Sequence, residues 1–71
     1  MNRAKRFLRD SKTGRFFKDG LWTENREEAR VFASITEASD AAKHCDADQL
    51  EVVIHFADGV RDMVIPVRTG N

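Results

Sequence analysis

Leu50-Glu51-Val52-Val53-Ile54-His55-Phe56-Ala57-Asp58-Gly59-Val60-Arg61-Asp62-Met63-Val64-Ile65-Pro66-Val67 reads as a β-hairpin. Leu50, Val52, Ile54 and Phe56 alternate with Glu51, Val53, His55 and Ala57, the period-2 pattern of a strand with one buried face. Asp58-Gly59 between the two runs is the strongest short hairpin signal. A two-residue loop there pairs Ala57 with Val60, Ile54 with Met63, Val52 with Ile65 and Leu50 with Val67, so apolar meets apolar along one face. The other face pairs Val53 with Val64 and His55 with Asp62. Pro66 has no N–H to give a ladder, which places the second strand at an edge.

Upstream, Ser34-x-x-Glu37 is a capping box. Ile35, Ala38, Ala42 and Cys45 follow on one stripe, predicting a main helix over about 34–45. Thr36, Glu37, Asp40 and Lys43 take its outer face. Asp46 and Asp48 would oppose the helix dipole, so the helix should stop near Cys45. Thr23 or Asn25 can cap a short helical turn near 25–30, Asn25 with capping-box spacing to Glu28. Asp19-Gly20 makes a turn, with Leu21-Trp22 as an apolar anchor after it.

At the N-terminal end, residues 5–9 and 15–18 read as two strands around Asp10-Ser11-Lys12-Thr13-Gly14. A four-residue loop over 11–14 puts Leu8 and Phe17 on one face and Phe7, Arg9, Phe16 and Lys18 on the other. A three-residue loop swaps these sets. In either register Phe16 and Phe17 point to opposite sides. One of them sits away from the main core unless something covers it.

The expected fold is therefore α+β: two β-hairpins form an antiparallel sheet, one main helix packs on one face, and a short helical turn joins them. The expected core is Leu8, Trp22, Ala29, Phe32, Ile35, Ala38, Ala42, Cys45, Leu50, Val52, Ile54, Met63 and Ile65, with Phe56 at its margin. The order of the two hairpins in the sheet stays open. With 71 residues, 1–71 reads as a single domain with 1–4 and 68–71 frayed. No apolar run approaches the length of a membrane span, and one cysteine excludes a disulfide scaffold. That single Cys45, in so small a chain, fits a reducing compartment. The basic start has no apolar stretch behind it, so a secretory signal is not expected and cytoplasmic is the default.

Trp22-Thr23-x5-Ala29-x2-Phe32-x-Ser34-x3-Ala38, followed by the Leu50–Phe56 strand, resembles small uncharacterised proteins of bacteria and their phages. In these a "WT…A..F.s..eA" stretch links a hairpin to a helix. The resemblance spans about the middle half of the chain and implies that architecture; it carries no activity.

The formal net charge is zero, from 12 basic and 12 acidic residues. Residues 1–18 nevertheless hold seven basic residues against Asp10 alone, a local +6, and residues 19–71 carry the compensating −6. Such a split raises the question of a charged partner. Lys and Arg on a hairpin also protect a sheet edge from pairing. If Phe7 or Phe16 is exposed, it can stack on an unpaired base while Lys5, Arg9, Arg15 and Lys18 neutralise phosphates. This is the nucleic-acid-binding reading, with single-stranded nucleic acid as partner. The competing reading is protein association. Val53, Val64 and one displaced Phe on the outer sheet face, with His55 and Asp62 beside them, make an apolar strip of the kind that marks interfaces. The opposite charges of hairpin and remainder would suit a homodimer.

Catalytic and metal readings are weaker. His44 and Cys45 are helix neighbours about 100° apart and cannot share a face. No C-x-x-C or H-x-x-x-H spacing supports zinc. His55 opposite Asp62 has the geometry of an oriented imidazole, but no nucleophile has a predictable place beside it. We therefore expect a non-enzymatic regulatory or accessory interaction domain that self-associates or binds a protein partner. No cofactor, metal or membrane is expected, and nucleic-acid binding by the basic hairpin is the alternative.

Overall fold

The structure, a computed structural model, describes residues 4–45, 49–57 and 59–67. Strands β1 (Ala4–Asp10), β2 (Phe16–Lys18) and β3 (Leu21–Thr23) form a meander, followed by a 3-10 turn (Arg26–Glu28) and helix α1 (Ile35–Ala42). Strands β4 (Leu50–Phe56) and β5 (Met63–Val67) complete an antiparallel sheet of order β3-β2-β1-β4-β5. The fold is α+β, as expected, with five strands where two hairpins were predicted. The added strand is β3. Asp19 and Gly20 both take positive φ, 43° and 91°, between the paired Lys18 and Leu21. Two positive φ values in a two-residue loop are the type I′ hairpin geometry. Leu21, expected as an anchor, is instead 69 % exposed, while Trp22 is half-buried against Phe17, ring centroids 5.9 Å apart.

The first hairpin adopts the four-residue loop. Arg9 stands opposite Phe16, and Asp10 N–H donates to Arg15 O at 2.8 Å. Gly14 supplies the positive φ of 78° that ends the loop. Phe17 consequently faces the helix side and Phe16 the other.

Strand β1 also pairs with β4 along its whole length, from Ala4 opposite Phe56 to Asp10 opposite Leu50. Ala4 is thus part of the sheet rather than frayed; the other residues of the expected frayed ends, 1–3 and 68–71, lie outside the described residues.

In the second hairpin, Leu50–Val67, Val52–Ile65, Val53–Val64 and Ile54–Met63 pair in the expected register. The ladder stops at Met63, so the expected Ala57–Val60 pair is not made, and Asp58 of the turn lies outside the described residues. Hydrogen-bond alternation explains the wider connection. Ser11 N–H donates to Gln49 O at 2.9 Å, so Glu51, Val53 and His55 turn their backbone groups to β1. Leu50, Val52, Ile54 and Phe56 are left for β5. An Ala57–Val60 pair would then lack the hydrogen bonds that close a two-residue turn. By the same alternation Val64 and Pro66 point their backbone outward at the sheet edge, where the missing proline N–H costs no ladder bond.

Helix α1 begins where the capping box placed it: Ser34 Oγ accepts the Glu37 N–H at 3.1 Å. It ends at Ala42, earlier than 45. His44 and Cys45 N–H groups donate three residues back, to Ala41 O and Ala42 O, tightening the last turn; this is how helix ends satisfy leftover carbonyls. Replacing Ser34 with alanine should cost about 1 kcal/mol, seen as a lower urea midpoint with an unchanged slope.

The helix lies over β1 and β4. Beneath it, Leu8, Phe32, Ala38, Ala42, Leu50, Val52 and Ile54 form the main core, with Trp22, Cys45, Phe56 and Ile65 packed at its margin. Three expected core residues are not in it: Met63 is 51 % and Ile35 40 % exposed, and Ala29 is buried in a second cluster on the opposite face. Met63 lies on β5, the edge strand, and Ile35 is the first residue of the helix.

Candidate functional site

The opposite face of the sheet carries a second, smaller core of Phe7, Phe16, Ala29 and Val53. Phe7 and Phe16 meet edge-to-face with centroids 5.8 Å apart. The segment around the 3-10 turn closes over them. Asn25 caps that turn, its Oδ1 accepting the Glu27 N–H at 3.0 Å, and Ala29 is buried against the rings. This cover removes the condition on which base stacking rested and corrects the expectation of an exposed apolar strip. Phe7 and Phe16 are 4 % and 9 % exposed, so neither ring is open for a base to stack on. Val53 is 1 % exposed, so it is not part of a free apolar strip; Val64 is, at 42 %.

Both ends of this small core are ionic. At one end Arg9 pairs with the cross-strand Glu51, and its guanidinium also lies over the Phe16 ring, 5.8 Å from the centroid. At the other, His55 Nδ1 donates to Asp62 Oδ1 at 2.9 Å, and Arg26 Nη1 donates to Asp62 Oδ2 at 3.2 Å. Arg26 also covers Phe7, 5.9 Å from its ring centroid. A residue of the covering turn, one after β4 and one of β4 itself are thereby tied through a single half-buried carboxylate.

Beside that tie opens a cleft of about 210 Å³. Lys5, Arg26, Glu27 and His55 supply its polar lining, and Phe7, Ala29 and Val31 its apolar part. Lys5 and His55 are cross-strand partners. Neither serine, threonine nor cysteine is among these lining residues.

Part of the charge split of the sequence is met inside the chain. Besides Arg9–Glu51, Arg15 pairs with Glu24 at 3.5 Å and Lys18 with Glu28 at 3.7 Å. Acidic residues after position 18 neutralise three of the hairpin's cations. Each exposed pair is worth only about 0.2–1 kcal/mol, and the pairs offset part of the hairpin's positive charge. Lys5, by contrast, has no carboxylate partner among the described residues.

Of the other residues weighed for chemistry, His44 is exposed, and Cys45 Sγ donates to Ala41 O at 3.4 Å on the helix. Asp46 and Asp48 lie outside the described residues. Among the described residues no three His, Cys, Asp or Glu side chains are grouped to hold a metal ion, and no helix is long and apolar enough to cross a membrane. No family model, curated protein or solved structure matches the chain, so the site is read from its own geometry.

Proposed function

We propose that this chain is a small non-enzymatic interaction domain of the cytoplasm that self-associates weakly through the rim of its β4–β5 hairpin. One observation carries the reading. Strand β5 is an edge without a single charged residue, and Met63 and Val64 on it, with Val60 just before it, are 51 %, 42 % and 56 % exposed. Edge strands of soluble domains are ordinarily blunted by charge, proline or cover, and of these β5 itself carries Pro66 alone. Zero net charge leaves two copies without long-range repulsion. Because the outward proline offers no N–H, the contact is made by side chains straddling the edge rather than by continuous strand pairing.

Three side chains are far from the roughly 800 Å² that each partner buries in a standard interface. The association is accordingly weak, with a dissociation constant of about 10⁻⁴ M. In sedimentation velocity the weight-average coefficient should rise between about 10 μM and 1 mM, and Val64→Lys should hold it at the monomer value. A concentration-independent monomer, or unchanged association in Val64→Lys, contradicts the proposal.

A further inference from the structure

We infer that residues 24–31 form a strap over the second face of the sheet that opens as a unit while the rest of the domain stays folded. The inference does not depend on self-association, which rests on Val60, Met63 and Val64.

The chain on either side of the strap is anchored on the helix side of the sheet. Trp22 packs against the main core and Phe32 is buried in it, and Thr23 still pairs with Phe16. Between these anchors the chain crosses to the second face, where Ala29 is its one buried residue; the 3-10 turn has none. The turn's own bonds are local. Glu28 N–H donates to Asn25 O at 3.0 Å and Ala29 N–H to Arg26 O at 3.1 Å, and a single helical turn does not persist without support. The side-chain ties to the rest of the chain are ionic and open to water. Arg26–Asp62, Lys18–Glu28 and Arg15–Glu24 lie at 3.2, 3.7 and 3.5 Å, with every side chain at least 34 % exposed. Such pairs contribute little each. Arg30 N–H, donating to Phe17 O at 3.0 Å, adds a backbone tie at the far end.

What lies under the strap is held in place without it. Phe7 and Val53 stand opposite each other in the β1–β4 ladder, and the main core is on the other face of the sheet. Opening therefore uncovers Phe7, Phe16 and Val53 and leaves the sheet and helix intact. Its cost is the exposure of that small cluster, whereas global unfolding exposes both clusters and breaks the ladder. Segments with few buried apolar contacts and solvent-exposed bonds are the ones that open below the global free energy. The same movement withdraws Glu24 from Arg15, Glu28 from Lys18 and the Arg26 guanidinium from the Phe7 ring. One step thus changes the second face from a closed, neutralised surface to an aromatic and basic one.

The test is native-state amide hydrogen exchange on the full chain in sub-denaturing urea, each rate normalised to that residue's intrinsic rate. Ala29 and Arg30 amides should exchange at least about tenfold faster than those of Phe7 and Val53. Their dependence on urea should be shallower, because opening the strap exposes less surface than unfolding. Asp62→Asn removes an ionic tie without altering the strap's own sequence, and should speed Ala29 and Arg30 about threefold. Ile54→Val, in the main core, should speed Phe7 and Val53 about fivefold and leave Ala29 and Arg30 unchanged, because the contacts of Ile54 survive in the open form. Exchange of Ala29 and Arg30 at the rate and urea dependence of Phe7 and Val53 overturns the inference. So does equal acceleration of all four amides by Ile54→Val, or unaltered exchange of Ala29 and Arg30 in Asp62→Asn.

Discussion

Replacing Phe32 with alanine is expected to bring the domain to the verge of unfolding at room temperature. Phe32 is 1 % exposed, stacks on Phe17 with centroids 6.1 Å apart, and lies under the Arg30 guanidinium at 5.3 Å. Its N–H donates to Arg6 O at 2.8 Å, continuing the pairing of β1 beyond the short β2. One ring therefore joins the helix-side core, the meander and the segment leading into α1. Phe→Ala at such a site costs about 3–5 kcal/mol, whereas a chain of this length holds roughly 4–11 kcal/mol in total. The melting temperature, followed by circular dichroism, should fall by at least about 15 °C. Phe32→Leu keeps much of the volume and should fold, with a loss nearer about 1.5 kcal/mol. A Phe32→Ala protein melting within about 5 °C of wild type would show that the ring is not central to the core.

The second large effect is at Val53, where face assignment and cover give opposite expectations. On a solvated sheet face Val53→Asp would change stability by no more than about 0.5 kcal/mol. At 1 % exposure, enclosed with Phe7, Phe16 and Ala29, it strands a carboxylate among apolar groups. That should cost about 3–5 kcal/mol, the penalty of an uncompensated buried charge. Val53→Thr, a smaller insult of one buried hydroxyl, should cost about 1–3 kcal/mol and stays measurable by urea unfolding. Val64→Thr, its exposed cross-strand partner, is the control and should change little. Equal effects at the two positions would mean that the 25–31 segment does not cover this face.

What could be read from the residues was whatever rests on local periodicity and local capping. The β4–β5 register followed from alternation, the helix start from Ser34, and the 25–30 turn from Asn25. Strand β3 was legible too: Asp19-Gly20 is the same dipeptide signal as Asp58-Gly59. The strand is only three residues long, too short for a period-2 pattern to mark it. The cover over the second face was not legible. Alternation shows that Phe7, Phe16 and Val53 share a face, but not that a mixed, short segment folds back onto them. That fold-back is held by a long-range contact, Arg26 to Asp62, between residues 36 apart in the chain. The candidate cleft has the same cause, since its walls come from β1, β4 and the covering segment. The +6/−6 split was visible, but its partners were not, because Glu51, Glu24 and Glu28 reach the hairpin only through the sheet and its turns.

The proposed self-association places recognition at the β5 rim rather than at the basic hairpin, three of whose seven cations pair with carboxylates elsewhere in the chain. An amide NMR concentration series on the unmodified protein maps the surface directly. Between about 50 μM and 2 mM, amides of Val60–Val67 other than Pro66 should move along a binding curve while those of Ser11–Lys18 stay fixed. Movement of the Ser11–Lys18 amides with the β5 amides unmoved would contradict the account.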